Sequence, residues 1–156
     1  MVVLIEEITL IYTKMMDTNE LMRGNKVIVG KGSDWEEIVV VDEIFDGIVG
    51  LQGREFTTYA IVLEPITITE ELLLKNGFVK ELLIEGNERY DDWVSYKKEV
   101  NGYFLEIRHC SNSIERDWYV HVDNDHHCSV GGADIEYVHQ LQNFCTLCGF
   151  EIKINV

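Results

Sequence analysis

Proline occurs once in the 156 residues, and cations are scarce: 13 Lys and Arg stand against 28 Asp and Glu, a formal charge of −15. No apolar run approaches the ~20 residues that a membrane helix needs. No segment is low in complexity, and neither an internal repeat nor a linker is visible. Each shortage narrows the function. Binding a phosphate backbone uses Lys and Arg to displace counterions. The local basic pair is Lys97-Lys98, with Lys80, Arg89 and Arg108 scattered, so nucleic acid and anionic membrane are disfavoured partners. The apolar opening Met1-Val-Val-Leu-Ile5 runs into Glu6 and Glu7 with no basic residue before it, unlike a secretory signal. The expectation is a cytoplasmic protein whose four cysteines are reduced.

What is present is a core. Apolar residues make up 46% of the chain, which argues against disorder despite the charge. The length suits one compact unit with two halves, residues 1–64 and 65–156, and Pro65 as the seam. In the first half, short β-branched runs alternate with glycine turns. Strands are expected over 1–15, 26–30, 35–44, 48–52 and 56–63, with Asp46-Gly47 and Gly53 at turns. This pattern fits a small, strongly curled antiparallel sheet, for which an SH3-like barrel is one model. The loop Gly30-Lys-Gly-Ser-Asp34 lacks the Gly-Lys-Ser/Thr and the helix of a phosphate loop.

In the second half, Thr69 caps a short helix, Glu70 and Glu71 suit its positive end, and Gly77 ends it. Strands are expected over 78–84, 90–100, 103–108 and 117–122, with Asn101-Gly102 as a type I′ hairpin turn. Gly131-Gly132 opens the last element. Val138, Leu141, Cys145 and Cys148 recur at helical spacing, predicting a helix over 134–148 and a closing strand over 150–156. The fold class is therefore α+β: a curled antiparallel sheet, then a helix, an antiparallel sheet and a C-terminal helix packed across it.

Three phrases carry a resemblance: Thr18-Asn-Glu-Leu-Met-Arg-Gly-Asn25, Pro65-Ile-Thr-Ile-Thr-Glu-Glu71 continuing to Lys75-Asn-Gly-Phe78, and Tyr137-Val-His-Gln-Leu-Gln-Asn143. In this order they resemble a family of small uncharacterised proteins of anaerobic gut bacteria and their phages, with "ELRIGN", "PIPLTEE" and "YVHQLQN" phrases. The resemblance spans residues 16–156 in outline and implies a setting rather than a chemistry. Met22 stands in place of the family's Ile, and Leu72 in place of a frequent Trp. Phe144-Cys-Thr-Leu-Cys-Gly149 replaces its aromatic helix ending. The family's opening aligns with Met16, which makes residues 1–15 an extension dispensable for folding.

All five histidines and all four cysteines lie between His109 and Cys148. The residue types suit zinc, and the best four ligands are His126, Cys128, Cys145 and Cys148. Against zinc, Cys145 and Cys148 fall on the apolar stripe of a helix, where free cysteine behaves as a small hydrophobe. Their place at a helix C-terminus is also the reverse of a thioredoxin-like pair. No metal or other cofactor is therefore favoured. Cys110 with His109, His121 or His139 is the remaining nucleophile–base combination. Asp123-x-Asp125 lacks the glycine and glutamate of a calcium loop.

These features point to a non-enzymatic interaction protein of phage or mobile-element type, with a host or phage protein as partner. Its contacts are expected from exposed aromatics among Trp35, Trp93 and Trp118, and from His139 and Gln142 on the last helix. Two alternatives stand beside it: an acidic inhibitor that mimics nucleic acid, and a zinc module or enzyme built on residues 109–148.

Overall fold

A computed structural model describes residues 16, 18–31, 33–46, 48–54, 57–59, 63–84, 93–110, 118–124 and 129–156. The expected strand over 1–15 lies outside these residues. The chain divides into two compact units between Ile66 and Thr67, one residue beyond Pro65.

The first unit holds a 3-10 turn, Thr18–Glu20, and five strands: β1 (Lys26–Val29), β2 (Glu37–Phe45), β3 (Ile48–Leu51), β4 (Thr57–Tyr59) and β5 (Leu63–Glu64). They form one antiparallel sheet in the order β4-β3-β2-β1-β5. Strand β2 is long enough to pair with β1 through its first half and with β3 through its second, with a register shift between Val41 and Glu43 where it bends. Alternation buries Val27, Val29, Val39, Val41 and Val49 on one face with Leu63. The strand expected over 56–63 includes residues 56 and 60–62, which lie outside the described residues. Thr57–Tyr59 pair with β3, whereas Leu63–Glu64 pair with β1. Asn25 locks the entry to this sheet: its Oδ1 accepts from Met22 N at 2.7 Å, and its carbonyl accepts from Val41 N at 2.9 Å.

The second unit starts with helix α1 (Glu70–Lys75), followed by β6 (Val79–Ile84), β7 (Trp93–Val100), β8 (Tyr103–Cys110), β9 (Trp118–Asp123), β10 (Ser129–Ile135) and helix α2 (Val138–Leu147). Thr69 Oγ1 accepts from Leu72 N at 3.2 Å, and Gly77 at φ +79° takes the left-handed position that ends α1. Asn101 and Gly102, at φ +52° and +82°, make the tight turn between β7 and β8. The sheet is an antiparallel meander in the order β10-β9-β8-β7-β6. Tyr96, Ile107 and Val120 stand opposite one another across three strands and are all buried.

Two expectations fail here. Residues 129–135 form a strand, not the start of a helix. Asp134 and Ile135 pair with Tyr119 and Trp118, and α2 begins only at Val138 after an extended Tyr137. Gly131 and Gly132 are therefore strand residues. A Cβ at Gly132 would run into the Tyr119 hydroxyl, so the cross-strand ring takes the space of a side chain. Residues 150–156 adopt no strand, yet Phe150, Ile152 and Ile154 are buried while Glu151, Lys153 and Asn155 are exposed. Alternation survives without a sheet, through packing of these side chains and the bonds of the Asn155 backbone to Asn76.

Candidate functional site

Strand alternation divides the polar residues of the second sheet between two faces. On the face with Ser95, Glu106 is held from two sides. Ser95 Oγ donates to its Oε1 and Arg108 Nη2 to its Oε2, each at 2.6 Å. Burial opposes the charge on Glu106, but these bonds outweigh it and keep the carboxyl below its usual range. Beside it, Lys97 Nζ meets Glu81 Oε2 at 2.6 Å, and this bond raises the lysine above its usual range. His121 Nε2 lies 3.0 Å from Asp123 Oδ1 on the same face.

On the opposite face, Lys80 Nζ donates to both oxygens of Glu70 at 2.8 and 2.9 Å, and Tyr96 Oη donates to Oε2 at 2.7 Å. The Lys80 and Tyr96 bonds lower Glu70, while burial and then Glu70 raise the Tyr96 phenol. Both carboxylates are thus saturated by donors and made weaker bases. That arrangement suits fastening strands together and works against general-base catalysis.

The expected site residues scatter. Trp118 is 5% exposed. Its ring stacks on His109 with centroids 4.3 Å apart and tilts against Tyr96 at 5.6 Å, so it forms core rather than an exposed anchor. His139 is also buried, stacked on Tyr137, because it shares the inward face of α2 with Val138, Leu141 and Cys145. Gln142 is half-buried, and its backbone carbonyl accepts from Thr146 Oγ1. Gln140 of the same phrase has a defined structural role. Its Oε1 accepts from Glu136 N and Tyr137 N at 2.8 and 3.1 Å and caps α2.

Cys145 is buried and Cys148 half-buried, and burial pushes the Cys145 thiol up to about 12. His126 and Cys128 lie outside the described residues. Among the described residues, no three His, Cys, Asp or Glu side chains converge as a metal site would require. His109 and Cys110 are neighbours on a strand and so point to opposite faces.

Trp93 does stay exposed, at 40%, beside the edge strand β6. That edge is the feature the sequence reading missed. Among the described residues, β6 is the last strand of the sheet, and no described strand pairs with its outer side. Val79 and Leu82 are 63% and 58% exposed, and Leu83 and Leu74 of α1 are exposed with them. The signal was in Val79-Lys-Glu-Leu-Leu-Ile84. Leu82 and Leu83 are adjacent, so a pleated strand cannot turn both inward. A register shift follows Leu82.

No family model, curated protein or solved structure matches this chain. Among the described residues, no helix is long and apolar enough to cross a membrane.

Proposed function

We propose that the protein is a non-enzymatic interaction module that takes an extended segment of a partner protein onto the β6 edge. The observation that supports this reading is the coincidence, on one strand, of an edge with which no described strand pairs and the exposed Val79, Leu82 and Leu83, flanked by Trp93. Added strands gain affinity from main-chain hydrogen bonds and specificity from alternate side chains. Lys80 and Glu81 sit in the middle of the edge, each paired within the chain. Such charges keep an edge from pairing indiscriminately. The resemblance to proteins of gut bacteria and their phages makes a host or phage protein in the cytoplasm the partner. On the second sheet the carboxylates Glu81 and Glu106 alternate with Lys97 and Arg108, which favours this reading over mimicry of nucleic acid.

Site-specific photo-crosslinking in the producing cell tests the assignment. A photoreactive residue at Val79 or Leu82 should yield one discrete crosslinked partner, and the same group at exposed Glu99 should not. Equal yields from all three positions would overturn it.

A further inference from the structure

The loop between β1 and β2 carries a second anchoring surface, independent of β6. Trp35 is 65% exposed, more than the two tryptophans of the second unit. Its position is fixed nonetheless. The indole lies against Gly30, at φ +68°, where any Cβ would overlap the ring. The loop is closed on itself. Ser33 N donates to Gly30 O at 3.0 Å, Ser33 Oγ to the same oxygen at 2.5 Å, and Glu36 N to Ser33 O at 3.2 Å. A large apolar ring held in place and left in water is the usual form of a binding anchor.

The charges around it specify what would land there. Asp34, Glu36 and Glu37 flank the ring in sequence and are exposed, and no cation occurs from residue 34 to residue 46. Lys31 pairs with Glu64 and Arg54 with Glu37, so of these three carboxylates Glu37 already carries a cation of the chain itself. The electron-rich face of an indole attracts cations. A guanidinium is flat enough to stack on it while its N–H edge donates to a carboxylate. We propose that Trp35, with Asp34 beside it, receives an arginine side chain from a basic segment of a partner protein. The chain's −15 charge steers such a segment toward it.

NMR titration of ¹⁵N-labelled protein with blocked hexa-arginine, at physiological salt, tests this. The Trp35 indole signal is identified by its loss in Trp35→Phe. The expected result is a saturable shift of that indole and of the amides of residues 33–37. Binding should weaken about tenfold in Trp35→Ala and several-fold in Asp34→Asn, with hexa-lysine weaker than hexa-arginine. Glu99→Gln, a distant exposed carboxylate, should leave affinity unchanged and so separates the site from bulk attraction. Unchanged affinity in Trp35→Ala, shifts spread over many surface carboxylates, or no binding at millimolar peptide would each overturn the proposal. None of these outcomes bears on the β6 crosslinks.

Discussion

Asn76 and Asn155 hold each other across the second unit as a strand pair would. Asn155 N donates to Asn76 Oδ1 at 2.6 Å, and Asn76 Nδ2 donates back to Asn155 O at 2.9 Å. Asn76 Nδ2 also caps the Leu72 carbonyl at 2.8 Å, so one amide ends α1 and fastens the C-terminal segment. Asn76→Ala should cost about 3 kcal/mol in urea unfolding, given about 1 kcal/mol for each of the three bonds lost. Asn76→Asp should not rescue it, because a carboxylate keeps the acceptor and loses both donors. A loss under about 0.5 kcal/mol would show that water replaces the bonds.

The carboxylates set the acid limit. Glu106 and Glu70 have lowered folded-state values, so the unfolded chain binds protons more readily than the folded one. Their contribution is therefore complete above the ordinary carboxylate value of 4.5 and is lost as pH falls below it through the folded values. Glu106→Gln should lower stability near neutrality and flatten the decline between about pH 5 and 3. Unfolding midpoints across that range would show an unchanged slope if the Ser95 and Arg108 bonds contribute nothing.

Lys80 should act as a guard. Two β6 strands related by a twofold axis place residues of the same face opposite each other. Registers centred on Lys80 or on Glu81 therefore set Lys80 against Lys80 or Glu81 against Glu81. Lys80→Val removes one repulsion and should give concentration-dependent association by sedimentation. Glu70→Gln, which breaks the same ion pair but keeps the lysine, should sediment as wild type. If both variants associate alike, the loss of the ion pair is the cause, not the loss of the guard.

The two helix cysteines should separate by reactivity. The thiolate is the reactive form, and burial holds Cys145 protonated up to about 12. With iodoacetamide at pH 8 and peptide mapping by mass, Cys148 should be modified well before Cys145. Cys145 should follow only on unfolding. Simultaneous labelling would mean that α2 opens readily.

Local chemistry was legible in the sequence where it is self-contained. The Asn101-Gly102 turn, the Thr69 cap and the Gly77 stop each depend on a few adjacent residues, and each is found. What was not legible depends on partners far along the chain. Gly131-Gly132 looks like punctuation until Tyr119 lies across it. Nothing local says that Thr57–Tyr59 pair with β3 and Leu63–Glu64 with β1. The site follows the same rule. Trp118 and His139 have side chains that suit a surface as well as a core, and only packing against Tyr96 and Tyr137 decides. The exposure of β6 follows from its being last in the strand order, which periodicity does not encode.

The two sheets also differ in how they can assemble. Every ladder of the second sheet joins strands that are consecutive in sequence. It can grow hairpin by hairpin from the Asn101-Gly102 turn, with little loop entropy lost at each step. The first sheet must also join Val29 to Leu63, a closure that follows only after the intervening strands are drawn together. The second unit should therefore be the quicker to fold, and the β1–β5 ladder the late event in the first.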